Sequence, residues 1–142
     1  MPPVKIMRVF LDANVLFSAA KSDGAVRQLL YMLLDAGHEC WVDDYVVTEA
    51  RRNLGAKGPE ALVLFEALLV HLHAGSVQTH DSTLKEVDWL PEKDRPVLAA
   101  AIRLRCDALV TGDRTHFGVG YSKAFGGVTI HSPRSMAELL LR

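Results

Sequence analysis

Apolar positions along this chain alternate between short unbroken runs and longer stretches in which they recur every three or four residues. Short runs bounded by polar residues mark buried strands, and the wider spacing marks one face of a helix. Arg8–Asp12 reads as a strand that ends on an acid. Val26, Leu29, Leu30, Leu33 and Leu34 share one face of a helix from Gly24 to Ala36, with Ser22 or Asp23 as cap and Gly37 as stop. Glu39–Val42 is a second strand, after which Asp43 and Asp44 suit the cap and first turn of a helix through Asn53. Leu54–Gly58 reads as a loop, and Pro59 opens a helix to about His71. Val77–Thr79 is the candidate third strand, and Asp94–Arg105 a helix that tolerates Pro96 in its first turn. Ala108–Thr111 and Val128–Ile130 are further strands, and Ser132-Pro133 starts a terminal helix.

Strands alternating with helices predict a three-layer α/β/α sandwich around a mostly parallel central sheet, as one domain spanning 1–142. A hydrophobic fraction of 49% in 15.6 kDa is enough to fill one core. No apolar run approaches the roughly 20 residues of a membrane span, and the N-terminus does not read as a secretory signal. Cys40 and Cys106 lie in apolar segments without a CxxC pattern, which points to reduced, buried thiols and a cytoplasmic protein. The net charge of −1 excludes the general basicity that drives tight nonspecific DNA binding. A polyanion would need a local patch or a bound metal.

Four acids change the picture. Asp12 closes Val9-Phe10-Leu11, and Asp113 follows the Ala108 strand in Thr111-Gly112-Asp113. Glu49 opens a polar helical stretch with Arg51 and Arg52, and Asp94 opens an alanine-rich helix. A parallel sheet carries its site at the carboxyl ends of its strands, where Asp12 and Asp113 fall. Two carboxylates about 4 Å apart repel by about 4 kcal/mol at an effective dielectric of 20. Such a cluster persists by sharing protons or binding a cation, and oxygen-only donors favour magnesium or manganese. The chemistry indicated is metal-assisted phosphodiester hydrolysis.

With Leu11-Asp12-Ala13-Asn14-Val15-Leu16, Thr48-Glu49-Ala50-Arg51-Arg52, Asp94 before its helix and Thr111-Gly112-Asp113, the chain resembles the PIN domain family. It is most similar to the small bacterial single-domain members, among which VapC-type toxins are prominent. The resemblance spans about Met7 to Leu140 and implies a metal-dependent ribonuclease, a frequent homodimer and, for a toxin, a cognate antitoxin. It also implies an acidic pocket of Asp12, Glu49, Asp94 and Asp113, with Asn14 and Thr111 beside it. Asp12, Asp94 and Asp113 are then the expected metal ligands, Asp113 directly or through water, and Glu49 orients water or serves as an outer ligand. Arg95-Pro96 directly after Asp94 is less typical, because it sets a cation next to the site.

Each residue has a plainer reading. Asp12 and Asp113 suit turns, Asp94 suits an N-cap, and Glu49 a solvated helix face. Arg51, Arg52, Arg95, Arg114 and His116 are candidate RNA contacts, with ordinary solvation as the alternative. No histidine spacing matches paired zinc ligands, and no glycine pattern matches a nucleotide loop. Trp41 and Trp89 read as packing residues. A DNA or flap nuclease could use the same acids, although such an enzyme would be expected to show more basic surface. A phosphoacceptor signalling domain would need a lysine on a late strand, and Ala108–Thr111 and Val128–Ile130 contain none. A binding module without catalysis would not require the full set of acids.

Overall fold

In the computed structural model, which describes residues 5–76 and 84–142, four strands run parallel through the centre of one sheet. They are β1 (Arg8–Leu11), β2 (Glu39–Asp43), β4 (Ala108–Val110) and β6 (Val128–His131). The short β3 (His73–Gly75) adds in parallel at one edge, and β5 (Ala124–Phe125) returns antiparallel at the other, giving the order β3-β2-β1-β4-β6-β5. The predicted α/β sandwich with a mostly parallel sheet is what the chain forms.

The two middle strands, β1 and β4, are buried on both faces: Val9, Phe10, Leu109 and Val110 have no exposed surface, which is why these segments read as unbroken apolar runs. β2 and β6 instead alternate buried with half-buried positions. From β1 the chain winds outward to β2 and β3, then crosses back to β4 and winds outward again to β6. Right-handed crossovers put the helices of the two windings on opposite faces of the sheet. Strand order therefore reverses between β1 and β4. This opens a crevice beyond their carboxyl ends, and ligands of such sheets bind there.

The helices are α1 (Ala13–Lys21), α2 (Ala25–Asp35), α3 (Asp44–Lys57), α4 (Leu62–Leu69), α5 (Arg95–Arg103), α6 (Arg114–Phe117) and α7 (Pro133–Leu140). Several signals act as expected. Gly37 stops α2 at φ +84°, Asp43 caps α3 by accepting from Val46 N, and Ser132 caps α7 ahead of Pro133. Other expectations need correction. Helix α1 was not anticipated, although its buried residues Ala13, Val15, Leu16, Ala19 and Ala20 recur at helical spacing on one face. Neither Ser22 nor Asp23 caps α2, whose N-cap is Gly24 without a side-chain bond. Helix α3 continues through the expected loop to Lys57 and ends at Gly58, since Leu54 still packs at zero exposure. Pro59 opens a 3-10 turn into α4, which stops at Leu69, and the third described strand is His73–Gly75. The proposed strand Val77–Thr79 lies outside the described residues.

Both cysteines are free and buried, and desolvation pushes each thiol up to about 12, so neither is a thiolate at neutral pH. Trp41 stacks on His73 under the Arg8 guanidinium, and Trp89 packs on Phe117 and Phe125. Among the described residues no helix is long and apolar enough to cross a membrane.

Candidate active site

The parallel register pairs Leu11 with Val110, so β1 and β4 end side by side and their next residues, Asp12 and Thr111, face the same crevice. Asp12 Oδ1 accepts from Ala13 N at 2.7 Å, which makes the acid the N-cap of α1. Its Oδ2 accepts from Thr111 Oγ1 at 2.8 Å and from Asn14 Nδ2 at 3.2 Å. Asn14 Oδ1 in turn accepts from Gly112 N at 2.8 Å, and Thr111 Oγ1 accepts from Asp113 N at 3.2 Å. Asn14 and Thr111 thus lock the β4 turn to the start of α1 and fix the Asp12 carboxyl between them.

Asp12 is 5% exposed, and burial pushes its pKa up to about 6. The bonds from Thr111 and Ala13 oppose that rise, and the charges of Glu49 and Asp94 add to it. The turn reading of Asp12 therefore does not exclude the functional one: the residue caps a helix and is also a carboxyl held against desolvation.

Asp94 arrives from the opposite winding of the sheet. It ends the 3-10 turn Glu92–Asp94 and stands at the N-cap position of α5, but its helical φ/ψ of −96°/−15° leaves the side chain without a capping bond. Its carboxyl is raised above the ordinary range, first by burial, against the lowering effect of His116 and Lys93. Oδ2 is fully buried with no hydrogen-bond partner. The His116 Nδ1 atom lies 2.9 Å from it, but outside hydrogen-bonding direction. That nitrogen instead bonds Asp113 Oδ2, also at 2.9 Å. Asp113 uses its other oxygen to cap α6 through His116 N at 3.2 Å. Tyr45 of α3 donates to Lys93 O at 2.6 Å and ties the turn that carries Asp94 to the helix that carries Glu49.

Asp12, Glu49, Asp94 and Asp113 line one cleft of about 260 Å³, so the fold brings the four predicted acids together. Glu49 is exposed and sits inside α3 rather than opening it, because Asp43 starts that helix a turn and a half earlier. The same cleft is lined by Asn14, Phe17, Asn53, Lys57 and Lys93. Phe17, Asn53 and Lys57 were not singled out from the sequence. A signal for two of them was present: Glu49, Asn53 and Lys57 stand four residues apart and occupy one stripe of α3.

The candidate RNA contacts separate. Arg51 forms an ion pair with Glu66 at 2.7 Å, and Arg95 holds the preceding turn through Leu90 O and Asp88 O. Arg95 therefore points away into its own loop, despite its place next to Asp94. Arg52 lines a neighbouring hollow that shares Glu49 with the cleft, and Arg114 lines another with Gly112, Tyr121 and Arg134. His116 stands between two carboxylates.

The PIN domain family profile matches residues 8–115, which include all four acids. The chain belongs to the PIN domain family. No curated protein matches the sequence. Among solved structures, it is similar to VapBC2 from Rickettsia felis, described as bound to a DNA fragment from their promoter. The TM-score is 0.63 at 13% identity, over 89% of this chain and 98% of that one. VapBC-1 from nontypeable Haemophilus influenzae gives 0.62 at 11% identity, over 90% and 99%. FitAB bound to an IR36 DNA fragment gives 0.56 at 15%, over 88% and 94%. At these identities the structural likeness speaks for the fold.

As a PIN domain, the chain has a donor set suited to a divalent cation. Asp94, Asp113 and His116 each offer one ligand atom within 4.8 Å of the others, and Asp12 faces the same cleft. The buried, unbonded oxygen of Asp94 is the sharpest sign of fit. A carboxylate oxygen without water or donor costs more than 1 kcal/mol unless a proton or cation satisfies it, by the usual penalty for an unpaired buried group.

Proposed function

We propose that this PIN domain is a magnesium- or manganese-dependent endoribonuclease that hydrolyses phosphodiester bonds of single-stranded or structured RNA, leaving a 5′ phosphate. The observation that carries the reading is the convergence of Asp12, Glu49, Asp94 and Asp113 on one cleft that also leaves Asp94 Oδ2 buried and unbonded. Asp12, Asp94 and Asp113 hold the cation. Thr111 and Asn14 keep the Asp12 carboxyl aimed into the cleft, as their bonds to its Oδ2 indicate. When bound, the cation lowers the pKa of a water toward 7 and neutralises charge on the phosphate. Glu49, at the exposed rim, orients the attacking water by accepting its hydrogen bond. Lys57 and Lys93 line the same cleft and bind the phosphate backbone there, with Arg52 and Arg114 extending the path on either side.

The similarity to VapC-type proteins supports a toxin role for the chain, held in check by a cognate antitoxin, as a cytoplasmic homodimer. Val63 and Val70, 82% and 81% exposed on and just after α4, supply apolar surface of the kind a protein partner covers. The test is cleavage of end-labelled single-stranded RNA, and of DNA of the same sequence, with magnesium, manganese or excess chelator. RNA cleavage that needs the metal and is lost in Asp12→Asn is the expected result. Full activity in chelator would reject the metal mechanism, and cleavage of the DNA alone would reject the substrate.

A further inference from the structure

We propose that His116 is itself a ligand of the divalent cation, through Nδ1, and that this nitrogen shifts the preference of the site from magnesium toward manganese. The inference rests on the cation site proposed above and adds a residue that the acid pattern does not contain.

His116 Nδ1 lies 2.9 Å from Asp94 Oδ2 and 2.9 Å from Asp113 Oδ2. A ring nitrogen carries at most one proton and can direct it well at only one carboxylate, and the hydrogen-bonding direction here is toward Asp113. Asp94 Oδ2 is left buried and unbonded with the same nitrogen beside it. Three donor atoms around a shared centre, two of them anionic, are satisfied together by a cation and not by one proton. The spacing fits as well. Neighbouring ligands of an octahedral ion with bonds of about 2.1 Å stand about 3.0 Å apart, close to the two distances observed.

Local structure holds the ring in place. Asp113 Oδ1 accepts from His116 N and caps the short helix α6, so the histidine backbone is fixed against the acid three residues before it. Nδ1 then turns back toward Asp94 and Asp113. The side chain keeps 30% of its surface exposed, so the outer edge of the ring can carry the proton as the Nε2–H tautomer. Phe117, at zero exposure in the next position, anchors the segment in the core. Carboxylates and water suit magnesium, calcium and manganese alike. Of these, only manganese is a first-row transition ion whose affinity gains from a nitrogen donor, so one imidazole in an oxygen set favours it over the hard magnesium ion.

The test uses the intact chain loaded with manganese and read by electron spin echo envelope modulation, which detects nitrogen coordinated to the ion. Wild type should show the coupling of a bound imidazole. His116→Ala and His116→Asn should both abolish it and weaken manganese binding at least about tenfold, while magnesium binding changes less than about threefold. The asparagine variant can keep a donor to Asp113 and has no imidazole, so it separates ligation from hydrogen bonding. Manganese bound by wild type without imidazole coupling, coupling that survives in both variants, or unchanged manganese affinity in His116→Asn would each overturn the proposal. In those cases the carboxylate site would still stand. Failure of wild type to bind either ion would overturn this inference together with the metal mechanism.

Discussion

Replacing Asp12 by Asn should make the metal-free protein more stable at neutral pH, by an amount that shrinks as the pH falls. The folded carboxyl titrates at about 6 against an ordinary 3.8, so ionisation at pH 7 costs the folded state about 3 kcal/mol. Asn removes that cost. It keeps an oxygen for Ala13 N but turns an amide toward Thr111 Oγ1 and Asn14 Nδ2, losing roughly 1 kcal/mol of hydrogen bonding. The expected net gain at pH 7 is about 1–2 kcal/mol, or about 2–8 °C in melting temperature for a chain of this size.

The sign of the pH dependence follows from the direction of the shift. Because the folded pKa is raised, the wild-type penalty is complete above about pH 6 and disappears as pH falls through that value toward 3.8. Between pH 7 and 5 the difference between Asn and wild type should shrink by about 1 kcal/mol. Subtracting the two proteins cancels groups the substitution does not disturb. Magnesium or manganese should reverse the order at pH 7, because ligand-linked stability accrues only to the chain that binds. Denaturant melts of both proteins at the two pH values, in chelator and in metal, measure all of this. A difference that is flat with pH, or an Asn variant less stable than wild type in chelator at pH 7, would refute the argument that Asp12 is held against desolvation.

Asp94→Asn should leave the metal-free fold within about 1 kcal/mol of wild type or slightly above it, because its side chain makes no capping bond to lose. The same change should lower cleavage at least about 100-fold. Near-normal cleavage with an unchanged magnesium-induced shift in melting temperature would remove Asp94 from the site. Thr111→Val should cost about 1–3 kcal/mol in urea melts by leaving Asp12 and Asn14 short of a partner at a buried position, while Thr111→Ser costs less. A larger loss in Thr111→Ser than in Thr111→Val would show that the methyl, not the hydroxyl, matters. Reversing Lys57 and Lys93 to Glu should weaken RNA binding and flatten its salt dependence by about two phosphate contacts. Arg51→Ala should leave that slope alone, since Glu66 already holds the guanidinium. An unchanged slope in the lysine variant would place the RNA elsewhere.

Much of this was legible in the order of the residues. Buried strands such as Val9–Leu11 and Ala108–Val110 announce themselves because both faces are covered, so apolar residues run without a break. Caps and stops at Asp43, Gly37 and Ser132 are local chemistry and need no tertiary context. Asp12 and Asp113 were visible because each follows a buried apolar strand, where a parallel sheet carries its site. Helix α1 was legible though not anticipated: Val15, Leu16, Ala19 and Ala20 recur at helical spacing directly after the Asp12 cap. Strand β3 was not anticipated because His73-Ala74-Gly75 has no strand propensity of its own and pairs only because β2 offers an edge.

The sequence by itself therefore determined the alternation of strands and helices, and that Asp12, Asp94 and Asp113 would stand at element ends. Those properties depend on neighbours a few residues away. Tertiary structure decided where the acids meet, because the reversal of strand order between β1 and β4 sets Asp12 beside Thr111, across 99 residues of chain. It decided that Arg51 and Arg95 are engaged elsewhere while Lys57 and Lys93 line the cleft. It also brought Asp94 against His116, whose place beside Asp113 is set locally by the cap of α6.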